Sequence, residues 1–308
     1  YVARLLPPVK KEWSTTTVAK GWIYYELLRM RDFSQDVSWD QTLQHWAQAQ
    51  YKSIDPALGF YHGPVDTSAG GDNVALQDGY RVDLDLELGL ALVDAGVRFQ
   101  HPEWSTAGKR EVETVIQQSY NRTYHLFNRI YLVHDTRFGD NKVQDPQARM
   151  GETGQEIEIL LRTGTYTHTD AYLQLAKEMI DGLRTSPLRD PAHGGYYFML
   201  YLAPYQGHPA GYVDKRFKEA RQLHALIGIH LANQIFNNRW TDMEQDLIKV
   251  GTHVLYLPPS VPGFTYRVQL NGDLYPSPKS SPIRAENWNT AEADNIALEA
   301  FQTVLDKS

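Results

Sequence analysis

Two kinds of apolar segment alternate along the chain. Segment 168–184 sets Tyr172, Leu175, Ala176, Met179, Ile180 and Leu183 at the i, i+3, i+4, i+7 spacing of a helix with one apolar face. Segment 38–52 does the same through Trp39, Leu43, Trp46, Ala47 and Tyr51. Ser38 and Thr241 stand where N-caps are expected, and Asp170 falls in an early turn. Segment 217–236 differs, being apolar nearly all round through Phe217, Ala220, Leu223, Leu226, Ile227, Ile229, Ala232 and Ile235, as are 287–305 and parts of 18–30. A helix apolar on most faces is buried on most faces, so these are inner helices and the one-faced segments are outer ones. The run from Val82 to Leu92 alternates strictly, which is the period of a strand, yet it occupies an inner slot and continues for about 20 residues without a breaker, so a helix is expected there.

Between outer and inner segments one short pattern recurs four times: Asp or Pro, three residues, then Gly beside an aromatic. It reads Asp55 to Gly59-Phe60-Tyr61, Asp135 to Phe138-Gly139, Asp190 to Gly194-Gly195-Tyr196-Tyr197-Phe198, and Pro259 to Gly263-Phe264, at spacings of roughly 55 to 80 residues. Aromatic-rich runs bounded by Gly and Pro predict short hairpin strands, as at Gly59–Gly63 and Gly194–Tyr201. The expected order is outer helix, hairpin, inner helix, repeated after a lone first helix at 15–31. Helix pairs stacked side by side can close into an all-α (α/α) toroid with short β-hairpins at one end, here a single domain over 1–308. About nine helices are legible where six pairs would need about twelve, so the ring is five-paired or lacks an N-terminal portion.

Chain polarity then points to a site. Every hairpin joins an outer helix's C-terminus to an inner helix's N-terminus, so the hairpins gather where free N–H groups and the positive dipole end favour anions and hydroxyl-rich ligands. The residues so placed include Gln77, Asp78, Tyr80 and Arg81, then Glu152 and Gln155, then Lys218, Glu219, Arg221 and His224, then Glu286 and Trp288; the hairpins add Tyr61, His62, Tyr197 and Tyr266. An acidic residue in a first turn is ordinary capping chemistry, and that reading stands beside the functional one for Asp78, Glu152, Glu219 and Glu286. Their convergence on one rim favours paired-carboxylate chemistry, in which one group protonates a glycosidic oxygen and the other activates water or attacks carbon. His224, on an inner helix beyond Glu219 and Arg221, is either a satisfied core residue or a proton-transfer group.

Composition narrows the partners. A formal charge of −7 disfavours nucleic acid and anionic membranes, and mildly a strongly anionic polymer. No apolar run is long enough to span a membrane. The absence of cysteine excludes disulfides, thiolate metal sites and a Cys nucleophile, and the 11 histidines show no zinc-ligand spacing, so no metal and no cofactor are expected. Neither a nucleotide-binding glycine motif nor GxSxG occurs. Seven Trp and 19 Tyr suit both helix packing and sugar stacking.

Asp190-Pro-Ala-His-Gly-Gly-Tyr-Tyr-Phe198, followed by Asp214 to Arg221, resembles the N-acylglucosamine 2-epimerase superfamily of (α/α) barrels. Gly151-Glu-Thr-Gly-Gln155 through the Tyr172 helix is similar to the helix pairs of (α/α) glycosidases such as α-1,6-mannanases and unsaturated glucuronyl hydrolases. Only His224 falls in a slot comparable to the epimerases' catalytic histidines, and the mannanases' adjacent Asp-Asp pair is absent. The expectation is a carbohydrate-active enzyme, first a glycoside hydrolase, extracellular or periplasmic rather than cytoplasmic. Asp78, Glu152 and Glu219 would serve as acid and base, Tyr61, Tyr197 and Trp288 would stack on sugar, and His62, Gln155 and Glu286 would bind substrate. The alternatives are an epimerase with His224 as base and Arg81 and Arg221 steadying an enolate, a polysaccharide lyase, and a non-catalytic sugar-binding scaffold.

Overall fold

The computed structural model describes residues 21–54, 80–131, 134–135, 139–140, 145–256, 263–270 and 291–305. Among these lie nine α-helices: α1 (Gly21–Ser34), α2 (Trp39–Ser53), α3 (Val82–Arg98), α4 (Pro102–Ser119), α5 (Met150–Thr167), α6 (Asp170–Thr185), α7 (His224–Ile235), α8 (Thr241–Val250) and α9 (Ala291–Leu305). A 3-10 turn, Ala220–Leu223, leads into α7, and a π-helical turn, Gly251–Leu255, extends α8. No helix among the described residues is long and apolar enough to cross a membrane.

The two burial patterns expected from the spacing are observed. Helix α6 buries one stripe, Tyr172, Ala176, Met179, Ile180 and Leu183. Helix α3 is buried on nearly every side, and this explains its misleading alternation. Once both the even and the odd positions are covered, a period of two carries no strand information, and 17 residues is long for a strand.

Three expectations need correction. The segment 217–236 is not helical from its start, because Lys218–Glu219 is extended and pairs with Arg267–Val268; the backbone bonds of that pairing hold Glu219 out of the helix that begins just after it. Ile235, expected inside, is 39% exposed at the helix end. Of the two expected N-caps, Ser38 holds the position at α2 and Thr241 does not. Ser38 makes no side-chain cap bond, and its own N–H donates to Asp36 Oδ1 at 2.9 Å. Thr241 is already the first helical residue, behind Trp240.

Contacts divide the chain into two compact units. The first comprises Tyr1–Thr114 and Ile130–Gln144. Its core gathers Ile23, Tyr24, Leu27, Leu43, Ala47, Leu88, Leu92 and Trp104 from α1 to α4. Its strands are short: β1 (Tyr80–Arg81) pairs with β4 (Ile130–Tyr131), and β5 (His134–Asp135) with β6 (Gly139–Asp140).

The second unit comprises Val115–Arg129 and Asp145–Ser308. Its strands β2 (Tyr120–Asn121) and β3 (Leu126–Phe127) form a hairpin. An antiparallel sheet runs β7 (Gln147–Arg149), β8 (Met199–Tyr201), β9 (Val213–Asp214), and β10 (Lys218–Glu219) pairs with β11 (Arg267–Val268). Helix α5 packs between α6 and α7, and α7 also packs on α8 and α9.

In this unit the recurring Asp-to-Gly pattern shows its physical basis. Asp190 Oδ1 accepts the N–H groups of Ala192 and His193 at 3.1 and 3.2 Å, and the Gly194 N–H closes on Asp190 O at 2.9 Å. Gly194 then turns the chain at φ +76°, a conformation that costs a residue with a Cβ. At this copy the pattern is a carboxylate-capped reversal that leads into β8.

Candidate functional site

Five of the expected site residues, Asp78, Tyr61, His62, Glu286 and Trp288, lie outside the described residues. Of the others, Arg81 belongs to the first unit, where it stands at the N-cap of α3 and its Nε donates to Asp83 Oδ1 at 2.9 Å. Tyr197 is held at the Asp190 turn: the Lys215 ammonium sits 4.7 Å from its ring centroid, and burial together with Asp190 raises its phenol. The remaining five, Glu152, Gln155, Glu219, Arg221 and His224, gather in the second unit.

Close helix packing brings them together. A Cβ on Gly154 would lie 2.3 Å from the backbone nitrogen of Ala225, and Gly151 faces Arg221 as Gly228 faces Ile157. The matching order of these pairs means that α5 and the 3-10 turn into α7 run parallel, backbone against backbone, with their starts at one end. Glu152 and Gln155 on α5 therefore face Arg221. Its Nη2 donates to Gln155 Oε1 at 3.4 Å, and its Nη1 stands 3.9 Å from Glu152 Oε1.

Four guanidiniums and three buried carboxylates form the site. Arg129 donates from Nε to Glu152 Oε1 and from Nη1 to Asp145 Oδ2, both at 3.2 Å. Arg267 donates from Nε to Glu219 Oε1 at 2.8 Å across the β10–β11 pair. Arg149 reaches only the neutral Gln147 Oε1, at 3.3 and 3.4 Å; among the described residues no carboxylate lies within ion-pair distance of it. Aromatic rings back these cations. Phe198 and Phe217 pack at 4.5 Å between centroids, with Arg149 over the first at 5.4 Å and Arg267 over the second at 4.5 Å.

The electrostatics separate the two glutamates. Glu152 lies between two guanidiniums, those of Arg129 and Arg221. Burial raises the Glu219 carboxyl above its ordinary range, against the lowering effect of Arg267, Arg221 and Arg149. Glu219 makes no capping bond to the turn it precedes. Its carboxylate engages Arg267 instead, so simple capping does not account for it. Burial also lowers Arg149, and the charge of Arg129 adds to this. His224 is buried, has no hydrogen-bond partner among the described residues, and is pushed down to about 3 by burial and by Arg221.

Asp145, Arg129, Arg149 and Arg267 were not singled out by sequence reasoning. Each lies in or beside a two- or three-residue strand, where no periodicity marks a residue's direction. The usable signal was Tyr266-Arg267 and Arg216-Phe217, where a cation adjoins an aromatic in the hairpins that precede an inner helix.

Solved structures similar to this chain include carbohydrate-active proteins. An unsaturated glucuronyl hydrolase specific for heparin shares 15% identity over 92% of this chain and 73% of its own, with a TM-score of 0.67. A sugar epimerase from a ruminal bacterium shares 12% over 95% and 72%, with a TM-score of 0.68. A family 76 glycoside hydrolase from a bovine Bacteroides thetaiotaomicron strain shares 11% over 93% and 55%, with a TM-score of 0.63. The fold is thus the (α/α) toroid of helical hairpins. No protein-family model matches the chain, and no curated protein matches it.

Proposed function

We propose that this protein is a glycoside hydrolase, with Glu219 as the acid and Glu152 as the second carboxylate. The observation that carries this reading is the pair of buried glutamates in unlike environments at the starts of neighbouring parallel helices. Glu219, its carboxyl raised by burial, is the better suited of the two to donate a proton to the glycosidic oxygen. Glu152, within ion-pair distance of Arg129 and Arg221, is placed to activate water or attack the anomeric carbon. The similar glucuronyl hydrolase and family 76 hydrolase support the same class.

The substrate fits best as an acidic sugar. A guanidinium removed from water without a carboxylate is costly. Among the described residues Arg149, half-buried and beyond ion-pair distance of any carboxylate, is in that position, and a uronate carboxylate entering beside it would supply a partner. The chain's net charge pointed weakly the other way, but a ligand meets the local charges. An oligosaccharide substrate is consistent with an exported protein, which fractionation of the source cells would test.

Glu219→Gln and Glu152→Gln variants should each lose 10²-fold or more in turnover, by order of magnitude, on a cleaved oligosaccharide. Unchanged turnover in either, with the fold intact by circular dichroism, would overturn the assignment. Epimerisation is the second reading, favoured by a buried His224 beside Arg221 with no hydrogen-bond partner among the described residues, and by the similar sugar epimerase. A conjugate acid at about 3 makes His224 a poor proton acceptor. Mass spectrometry in heavy-oxygen water separates the two, since hydrolysis adds labelled oxygen to the product and epimerisation leaves the mass unchanged.

A further inference from the structure

The segment joining β8 to β9 is a tight hairpin that carries aromatic rings outside the carboxylate site. Gln206 and Gly207 take φ +48° and +82°, the left-handed pair of a two-residue hairpin turn. The Tyr205 N–H donates to His208 O at 3.0 Å and the His208 N–H donates back to Tyr205 O at 2.9 Å. Lower down, the Tyr201 N–H donates to Tyr212 O at 2.9 Å and the Gly211 N–H to Tyr201 O at 2.7 Å. Backbone pairing on both sides of the turn makes the hairpin a preformed support.

Its rings are ordered as well. His208 stacks on Tyr212 with centroids 4.2 Å apart and planes 20° from parallel, and Tyr201 touches both rings at 4.9 and 5.5 Å. Tyr212 is nevertheless 40% exposed. His208 covers one face of the phenol ring, so the exposed area comes from the opposite face and the edge.

The hairpin is continuous with the site. Across β7–β8, Gln147 pairs with Tyr201 and Arg149 with Met199, which in turn pairs with Asp214 on β9. Directly paired residues project to the same face of a ladder, so one face carries Gln147, Arg149, Tyr201 and Asp214 together. Burial raises the Tyr201 phenol, and so do the charges of Asp214 and of Asp145, the carboxylate that Arg129 holds beside Glu152.

We infer that the His208–Tyr212 stack is an outer subsite on which a pyranose ring of the substrate chain lies, beyond the sugar held at Glu152 and Glu219; this rests on the hydrolase reading. A pyranose offers an apolar C–H face of about the right size to an aromatic ring, and its equatorial hydroxyls stay in water or reach the phenol oxygen. The rigid turn means that little side-chain or loop entropy is lost on binding.

The test uses the full chain with Glu219→Gln as background, and as probes the unsaturated disaccharide and hexasaccharide from lyase-digested chondroitin and the matching cello-oligosaccharides. Binding is measured by calorimetry for the background alone and with Tyr212→Ala or Tyr212→Phe added. The expected result is a roughly five- to tenfold weaker hexasaccharide affinity for Tyr212→Ala, a disaccharide affinity within about twofold, and hexasaccharide binding retained by Tyr212→Phe. Equal losses at both lengths, no loss on the hexasaccharide, or no binding of any probe would overturn the subsite. The hydrolase reading fails separately, on undiminished turnover by Glu219→Gln, whatever Tyr212 does.

Discussion

Arg267 stands directly opposite Glu219 in the β10–β11 pair, and its guanidinium closes on the carboxylate at 2.8 Å. Two opposing influences therefore meet on one side chain. Burial disfavours the charge of Glu219, and Arg267 stabilises it, with burial the larger. A carboxyl balanced in this way is suited to exchange a proton during a catalytic cycle.

Replacing Arg267 with Met should remove the stabilising partner and move the Glu219 carboxyl further up. The descending limb of the pH–activity profile, where the acid loses its proton, should then shift to higher pH. Stability should change with a definite sign. A carboxyl raised on folding contributes stability below its unfolded value near 4.5, and that contribution is lost as pH rises through the folded value. The variant should accordingly lose about 1–3 kcal/mol at pH 7 and less at pH 4, read from urea melts at the two pH values.

Lys218 and Asp190 form an ion pair at 2.9 Å with both side chains fully buried. Burial by itself would raise the Asp190 carboxyl, but the hydrogen bond and charge of Lys218, helped by His193, bring it to about 2. That stability is present above the ordinary value of 3.8 and is lost as pH falls towards 2, so acid unfolding should draw on it in that window. Lys218→Met leaves a buried charge unmatched and should cost about 3–5 kcal/mol. Adding Asp190→Asn, which keeps an oxygen for the turn, should restore part of the loss in chemical denaturation.

Gly154→Ala should separate two helices. The added methyl would meet the backbone of His224 and Ala225, which cannot swing aside as a side chain can. A loss of about 1–3 kcal/mol is expected, visible as a lower Tm. Turnover should fall as well, because the same contact sets the position of Glu152 relative to Arg221.

Arg149→Gln should weaken binding of a uronate-bearing oligosaccharide by about tenfold, while its effect on a neutral sugar of equal length stays within about twofold. Wild-type affinity for the acidic sugar should decline with added salt, and the variant should lose much of that dependence, as measured by calorimetry across a salt series. Equal effects on both sugars would argue against a charge-reading role.

Legibility in the sequence followed the range of each signal. Helix α6 was readable because Tyr172, Ala176, Met179, Ile180 and Leu183 mark one face within five turns, and the Asp190-to-Gly194 reversal because its bonds are all local. Glu152, Gln155, Glu219, Arg221 and His224 were placed at the helix starts by chain polarity, and they do converge. The details of α7 were not readable. Phe217 and Ala220 carry its apolar pattern across Lys218 and Glu219 in the sequence, but a strand partner 48 residues later draws Glu219 out of the helix. Tyr197 is aromatic and lies in a hairpin, yet Lys215 and Asp190 hold it at the turn, which composition could not reveal.

The sequence by itself determined which segments are helices, which of them are one-faced, and at which helix ends the hairpins fall. Helical periodicity and turn chemistry act over a few residues, so they are written in the local order of side chains. Only the tertiary structure decided which cation meets which carboxylate. Arg129 reaches Glu152 across 23 positions and Arg221 reaches Gln155 across 66, from strands and turns too short to carry a pattern of their own. The second pairing exists because glycines let α5 and the turn into α7 approach backbone to backbone.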